Sequence, residues 1–389
     1  MGDVPPRVAI VYRVIRQYRV PFYRSLRSEL EHRGIELAVV HNTPPREQDP
    51  RKDVVDDQSL AWTKRSPARE VSIAGKPLMW QSAPKGLRTA DLVVVEQANR
   101  LLLNYRLLLR RRLGGPKVAL WGHGDDPNPD ASPAAERFKQ LYSTEPDWWF
   151  AYTEGVAELV RSFGFPAERI TNVNNSTDTR QLSAALQSVT DDQVQLFREE
   201  HGIRGKHVGL YVGALVPEKR LDFLVQAADI VREASPDFEL VVVGGGPLTP
   251  WVREQASRRP WMHHLGQRFG EDLARVLRLS TILMVPTWVG LAIVDGLAAG
   301  LPLVTRASAA HGPEIDYLRQ DENGRLVDDD GDPRRYAEGV LAVLHDPDQL
   351  DRMQAECRAD AARLGTEEMA RRFADGIEAA LAAPRRRGR

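Results

Sequence analysis

Val285-Pro286-Thr287-Trp288-Val289-Gly290-Leu291-Ala292-Ile293-Val294-Asp295-Gly296-Leu297-Ala298-Ala299-Gly300-Leu301-Pro302 reads as a buried strand, a glycine turn, an apolar helix and a glycine stop. At Gly290-Leu291 a helix begins, and its unpaired amides and dipole favour a phosphate or sugar hydroxyls. Asp295 falls in the first turns of that helix, where a carboxylate accepts two hydroxyl hydrogen bonds, as from a ribose. The same grammar occurs earlier. Tyr211-Val212-Gly213-Ala214-Leu215-Val216-Pro217-Glu218-Lys219-Arg220 runs from strand through turn into helix, with Gly213 permitting close approach and Lys219 and Arg220 supplying charge for a diphosphate. Val241-Val242-Val243-Gly244-Gly245-Gly246-Pro247 ends another strand in glycines, without the G-x-G-x-x-G spacing of a dinucleotide site.

These units repeat along the chain. Strands over Val208–Val212, Leu240–Val243, Ile282–Val285 and Leu303-Val304 alternate with helices over Lys219–Ala234, Pro250–Arg258, Glu271–Leu279 and Leu291–Ala299. The first half alternates likewise, with strands at Val8–Tyr12, Leu37–Val40, Leu92–Val95, Lys117–Trp121, Trp148–Ala151 and Ile170–Val173. Its helices are read at Pro21–Arg33, Leu101–Leu113, Pro133–Thr144 and Gly155–Phe163, and a polar stretch from Asn42 to about Arg69 reads as a loop. Apolar strands separated by helices predict parallel sheets covered on both faces. The fold class expected is α/β, two tandem Rossmann-like domains facing a cleft: 1–180, a linker over 181–205 opening on the capping box Thr190-x-x-Gln193, and 206–366. Residues 367–389 form a last helix and an Arg-rich tail, the helix packing back on the N-terminal domain.

Length and composition agree with two ordinary cores: 389 residues, 42% hydrophobic and 28% charged. No apolar run approaches the roughly 18 residues of a membrane span, and the N-terminus lacks the pattern of a signal peptide, so a cytoplasmic setting is expected. The formal net charge of −1 conceals 27 basic against 22 acidic groups in residues 1–180 and 26 against 32 in 181–389. The N-terminal surplus is too small for nucleic acid and leaves peripheral contact with an anionic membrane, or an acidic acceptor, open. The Leu-rich run Asn99–Arg112 could lie on such a membrane, but its place between two strands favours a crossover helix. The single cysteine, Cys357, reads as packing.

The Val285–Pro302 segment, with Pro217-Glu218-Lys219, Gly244-Gly245-Gly246-Pro247 and His311-Gly312-Pro313-Glu314-Ile315, resembles glycosyltransferase family four. In the first half Trp121-Gly122-His123-Gly124 and Asn174-Asn175-Ser176-Thr177-Asp178 resemble that family's histidine and pre-linker segments. The resemblance implies the GT-B fold and sugar transfer from a nucleotide diphosphate donor, with retention, to a hydroxyl of a saccharide, lipid-linked saccharide or small natural product. It implies an acceptor domain at the N-terminus and a donor domain at the C-terminus. Lys219 would contact the diphosphate and act in catalysis, Asp295 would hold the ribose, and Gly290-Leu291 would line the phosphates and donor sugar. Gly213, Arg220, Gly245, Thr287 and Val289 would complete the donor site, and His123 would stand near donor sugar and acceptor.

Two departures stand out. The family's Glu-x7-Glu pair falls on Thr287 and Asp295, and the Arg before Pro-Glu-Lys is Ala214, so donor-sugar recognition is expected to be altered, with Arg220 replacing part of the charge. Val14–Pro21 replaces the family's Gly-Gly loop, which brings Tyr18 and Arg19 forward as acceptor residues, together with Asp125 after the histidine and Glu314 in the later segment. Asp125-Asp126-Pro127 reads more readily as a helix-starting turn. No cofactor other than the nucleotide sugar is expected, and no metal: Asp328-Asp329-Asp330 reads as a surface turn before a helix, and adjacent His263 and His264 on a strand point to opposite faces. Two other readings follow the same residues: a catalytically degenerate nucleotide-sugar-binding protein, and a nucleotide-sugar epimerase that needs no acceptor.

Overall fold

The computed structural model describes residues 4–42, 62–73, 76–82, 87, 89–124 and 133–386. The chain divides into two units, Met1–Asn175 with Thr366–Arg389, and Ser176–Gly365. In the first unit the elements are β1 (Arg7–Tyr12), α1 (Val20–His32), β2 (Glu36–His41), β3 (Lys64–Arg65), β4 (Ala68–Ile73), β5 (Lys76–Gln81), β6 (Leu92–Glu96), α2 (Leu102–Arg112), β7 (Lys117–Gly122), α3 (Pro133–Thr144), β8 (Trp148–Ala151), α4 (Glu154–Ser162) and β9 (Ile170–Asn172). The second holds α5 (Thr179–Ser188), α6 (Asp191–His201), β10 (His207–Val212), α7 (Leu221–Ala234), β11 (Phe238–Val243), α8 (Thr249–Ser257), β12 (Met262–Gly266), α9 (Gly270–Leu279), β13 (Ile282–Met284), α10 (Ala292–Ala299), β14 (Leu303–Arg306), β15 (Gly324–Val327), α11 (Pro333–Leu344) and α12 (Pro347–Ala361). α13 (Thr366–Ala382) returns to the first unit.

The first sheet is ordered β3-β2-β1-β6-β7-β8-β9 and the second β12-β11-β10-β13-β14-β15, with every pairing parallel. Each sheet reverses its order of growth beside its first strand, which is where a doubly wound sheet opens a ligand crevice beyond its strand C-termini. Central strands are buried on both faces, as Leu92–Val95 and Phe238–Val243 are, because helices cover each side.

α13 completes the first core. Phe373 stacks on Phe150 at 4.0 Å with rings nearly parallel, and meets Trp121 edge-on at 5.1 Å. Gly376 lets it lie close: a Cβ there would come within 2.4 Å of Thr171 Oγ1. Its C-terminal carbonyls are closed by Lys117, whose Nζ donates to Ala380, Leu381 and Ala383 at 3.0, 2.6 and 2.6 Å.

Several readings need correction. The stretch read as a loop from Asn42 to Arg69 contains β3, and it leads into the antiparallel hairpin β4–β5; residues 43–61 lie outside the described residues. Its apolar positions alternate with charges on short strands, so no long apolar run marks them. The helix expected from Lys219 starts at Leu221; Pro217–Lys219 is a 3-10 turn and Arg220 is left-handed, at φ 48°. Asp329 is not part of a solvated turn. It is fully buried, paired with the Arg306 guanidinium, and accepts from Ser308 Oγ at 2.6 Å.

Other readings agree with the structure. α2 is a crossover helix with Leu103, Leu107 and Leu108 buried, and Cys357 is buried with its thiol directed at the Asn323 carbonyl. The Thr190–Gln193 capping box is formed in both directions. His263 bonds Glu239 and His264 bonds the Gly244 carbonyl, so the two imidazoles diverge. Among the described residues no helix is long and apolar enough to cross a membrane.

Candidate functional site

Four loops meet at the C-terminal edge of the second sheet, after β10, β11, β13 and β14. The first two are stitched by backbone bonds: Gly213 N donates to Val243 O at 3.0 Å and Leu215 N to Gly245 O at 3.1 Å. Gly244, at φ 153°, lies so near that a Cβ would sit 1.9 Å from the Gly213 carbonyl. The Ala214 carbonyl is held by the buried Tyr211 hydroxyl at 2.9 Å.

The third loop carries the polar centre. Trp288 adopts φ 50°, turning its carbonyl to accept from Lys219 Nζ at 2.5 Å. Thr287, the residue in place of a family carboxylate, donates its hydroxyl to the Glu218 carbonyl at 2.6 Å and so fixes the turn that presents Lys219. Val289 N donates to His311 Nδ1 at 3.3 Å, and Gly312 N donates to Val289 O at 2.7 Å. Because Nδ1 accepts, the His311 proton sits on Nε2, which donates to the Arg306 carbonyl at 2.7 Å. Burial lowers the His311 pKa, with the Lys219 and Arg306 charges adding to the effect, which keeps this tautomer neutral. Val289 thus has both backbone groups engaged, which leaves it no free backbone group for the anion contact expected of it. Among the described residues, the amides of Gly290 and Leu291 have no acceptor at the mouth of α10.

Glu314, buried in the 3-10 turn Pro313–Tyr317, lies against this loop: a Cβ on Gly290 would be 3.9 Å from its Oε2. Burial pulls the Lys219 pKa below the usual lysine range, opposed in part by the Glu314 charge. Asp295 accepts from the Thr177 hydroxyl at 2.8 Å. Its pKa is pushed up to about 6 by burial, against that hydrogen bond. Lys219, Gly290, Leu291 and Glu314 are therefore brought to one place, with Asp295 on the helix that follows. Gly213 and Gly245 shape the adjoining wall. Arg220 is not drawn in: its exposed guanidinium forms a two-pronged pair with Asp222 at 3.0 Å.

In the first unit His123 stands exposed at the end of β7, edge-on to Tyr152 with centroids 4.6 Å apart. Tyr18 is exposed, and Arg19 is buried beneath it with Tyr18, Trp121 and Tyr152 around its guanidinium. Asp125 and Asp126 lie outside the described residues.

Residues 206–346 match the family model described as Glycosyl transferases group 1. The matched residues lie within the second unit. Among curated relatives of the chain, D-inositol 3-phosphate glycosyltransferase of Thermobispora bispora is 27% identical over 243 residues, 58% of this chain and 54% of the relative. The GDP-mannose-dependent alpha-(1-6)-phosphatidylinositol monomannoside mannosyltransferase of Mycolicibacterium smegmatis is 23% identical, over 61% of this chain and 67% of its own length. The chain spans about half the length of the first curated relatives it matches, 46% and 54%. Among solved structures, Anabaena Alr3699/HepE in complex with UDP superposes with a TM-score of 0.69 at 13% identity, covering 96% of this chain and 99% of that one. A glycosyltransferase from Rickettsia africae ESF-5 gives the same TM-score at 12% identity, covering 98% and 100%. The fold is GT-B.

Within residues 206–346, sequence reasoning passed over His311 and the Asp329–Arg306 pair. His311 had a signal, its place before Gly312-Pro313-Glu314. Asp329 had none, since its partner is a strand residue 23 positions earlier and acidic runs are ordinarily solvated. The pair anchors the end of β14, whose Arg306 carbonyl holds His311, so it supports the Val289–Gly290 turn through one intermediary.

Proposed function

We propose that the protein is a glycosyltransferase that moves a sugar, with retention and without a metal ion, from a nucleoside diphosphate sugar on the second unit to an acceptor hydroxyl on the first. One observation carries the reading: the Lys219 ammonium is fixed to the Trp288 carbonyl, two residues before the open amides of an apolar helix. An ammonium and a helix N-terminus together stabilise a departing diphosphate, whose charge grows as the sugar leaves. Asp295, one turn further on, suits the ribose hydroxyls. UDP in the solved relative and GDP-mannose in the name of a curated one support uridine or guanosine as the base.

In the proposed step the C1–O bond to the diphosphate breaks while acceptor oxygen bonds C1 on the same face. The acceptor's proton passes to the departing phosphate oxygen. His123 orients the acceptor, and the protein's main contribution is position and charge. A second reading, donor binding without turnover, is favoured by Thr287, whose hydroxyl is spent on the Glu218 carbonyl rather than offered to a sugar.

Thermal denaturation with UDP, GDP, ADP and dTDP tests the donor. A ligand at about 100 times its dissociation constant adds roughly 2.7 kcal/mol, so one nucleotide is expected to raise the melting temperature by a few degrees. Lys219→Ala is expected to cut turnover about 10²- to 10³-fold, with EDTA leaving the wild-type rate unchanged. Undiminished turnover in Lys219→Ala sinks the assignment, and binding without any product supports the second reading.

A further inference from the structure

The C-terminal edge of the first sheet holds a buried cation whose counter-charge is missing among the described residues. Arg19 lies in the 3-10 turn Gln17–Arg19 that follows β1, and is only 2% exposed. Its guanidinium carbon is 5.1 Å from the Tyr18 ring, 5.5 Å from Trp121 and 5.7 Å from Tyr152. Nη2 donates to Asn175 Oδ1 at 2.5 Å, and Nη1 approaches Met369 Sδ at 3.6 Å. These partners come from the ends of β1, β7, β8 and β9 and from α13, on the side where such a sheet takes its ligand.

The cluster is incompletely satisfied. Arg19 Nε, Trp121 Nε1 and the Tyr23 hydroxyl are all buried without a hydrogen-bond partner among the described residues. No carboxylate among the described residues pairs with Arg19; Glu96, which bears on Tyr12 and Tyr23, accepts from the Arg13 amide at 3.0 Å. Nor do the phenols supply an anion. Burial pushes Tyr12 up to about 12, and Tyr23 and Tyr152 well above the usual tyrosine range. Ring faces, an amide oxygen and a thioether recover only part of what a desolvated guanidinium loses, and buried charges are ordinarily paired. Water can satisfy the donors, but it does not neutralise the charge.

We propose that Arg19 is the binding residue for a phosphate or carboxylate group carried by the glycosyl acceptor, with Tyr18 as the cover over it. The acceptor role rests on the transferase reading above; the anion site stands on the cluster alone. The planar guanidinium matches the paired oxygens of either group, and Trp121 Nε1 and the Tyr23 hydroxyl are further donors in the same cluster. Tyr18 is 42% exposed with its ring centroid 5.1 Å from the guanidinium carbon, so its ring is what an arriving anion displaces.

The test uses the full chain carrying Lys219→Ala, so that phosphate binding at the donor site does not contribute. Inorganic phosphate and glucuronate are titrated at constant ionic strength while the first unit's melting is followed. At least one is expected to raise the melting temperature saturably, and adding Arg19→Gln to abolish the rise while leaving the ligand-free melting temperature equal or higher, since an uncompensated charge has gone. Arg19→Lys, which keeps charge but loses the fork, is expected to bind at least tenfold more weakly. A response to phosphate alone or glucuronate alone says which group the acceptor carries. The proposal is overturned by no response to either anion, by an unchanged response in Arg19→Gln, or by a destabilised Arg19→Gln beside an Arg19→Lys that responds like its parent. Arg19-dependent binding here, beside a wild-type chain that turns over no nucleotide-sugar donor, would keep the anion site and overturn the transferase reading instead.

Discussion

Asp295 shows how one side chain ties stability to ligand binding. Its folded pKa of about 6 lies above the ordinary 3.8 because the carboxylate is enclosed, with the Thr177 hydroxyl bonding it. A raised carboxyl favours the protonated folded chain, so stability withheld at neutral pH returns as pH falls through 6 toward 4. The amount is on the order of 3 kcal/mol. Asp295→Asn is therefore expected to melt higher than wild type at pH 7.5 and to flatten the profile between pH 4 and 7. The same variant should bind the preferred nucleotide about ten- to a hundredfold more weakly. Wild-type affinity should decline as pH drops through about 6, where the carboxylate is lost. Calorimetric melts and nucleotide titrations across pH check both, and a variant that melts lower at pH 7.5 contradicts the account. At this scale the positions of Lys219 and Gly290 in glycine-turn loops and of Asp295 in the helix that follows were legible, since those placements rest on local sequence. Thr287 was legible only as a departure, because its partner, the Glu218 carbonyl, lies 69 residues away.

Among the elements, the two glycine turns after β10 and β11 are the tightest joint. Gly244 has φ 153° and Gly246 φ 156°, and Cβ atoms there would sit 1.9 Å from the Gly213 carbonyl and 2.6 Å from the Leu215 carbonyl. Gly266, at φ 71°, has open space around it. Gly244→Ala is expected to lower unfolding stability by more than about 3 kcal/mol, against about 1 to 2 for Gly266→Ala, whose only penalty is the left-handed backbone. Urea denaturation of the two variants measures the difference, and equal losses would show that the two loops part without cost. Most strands and helices in both sheets were read to within one or two residues, because apolar runs and glycine stops are short-range signals. The β4–β5 hairpin was missed for the same reason: Arg69, Glu70, Ser72 and Lys76 interrupt its apolar residues, and only pairing makes it a hairpin.

At the level of the whole molecule, the chain's end belongs to its beginning. Phe373 on α13 is fully buried between Phe150, Trp121 and Phe22, so its removal opens a cavity in the first core. Phe373→Ala is expected to cost about 3 to 5 kcal/mol, confined to the first unit. Calorimetry should show that unit's transition fall while the second keeps its response to nucleotide; a matching fall in both would mean the units unfold as one. The sequence by itself determined the alternation of strand and helix, the parallel sheets and the glycine turns at their edge, since periodicity and backbone freedom act between near neighbours. Tertiary structure alone decided the fate of the charges: Asp329 under Arg306, Arg111 against Asp147, Lys117 closing α13, Arg19 without an acid among the described residues. A charge taken out of water needs polar partners brought to it, and those of Lys117 lie as many as 266 residues away.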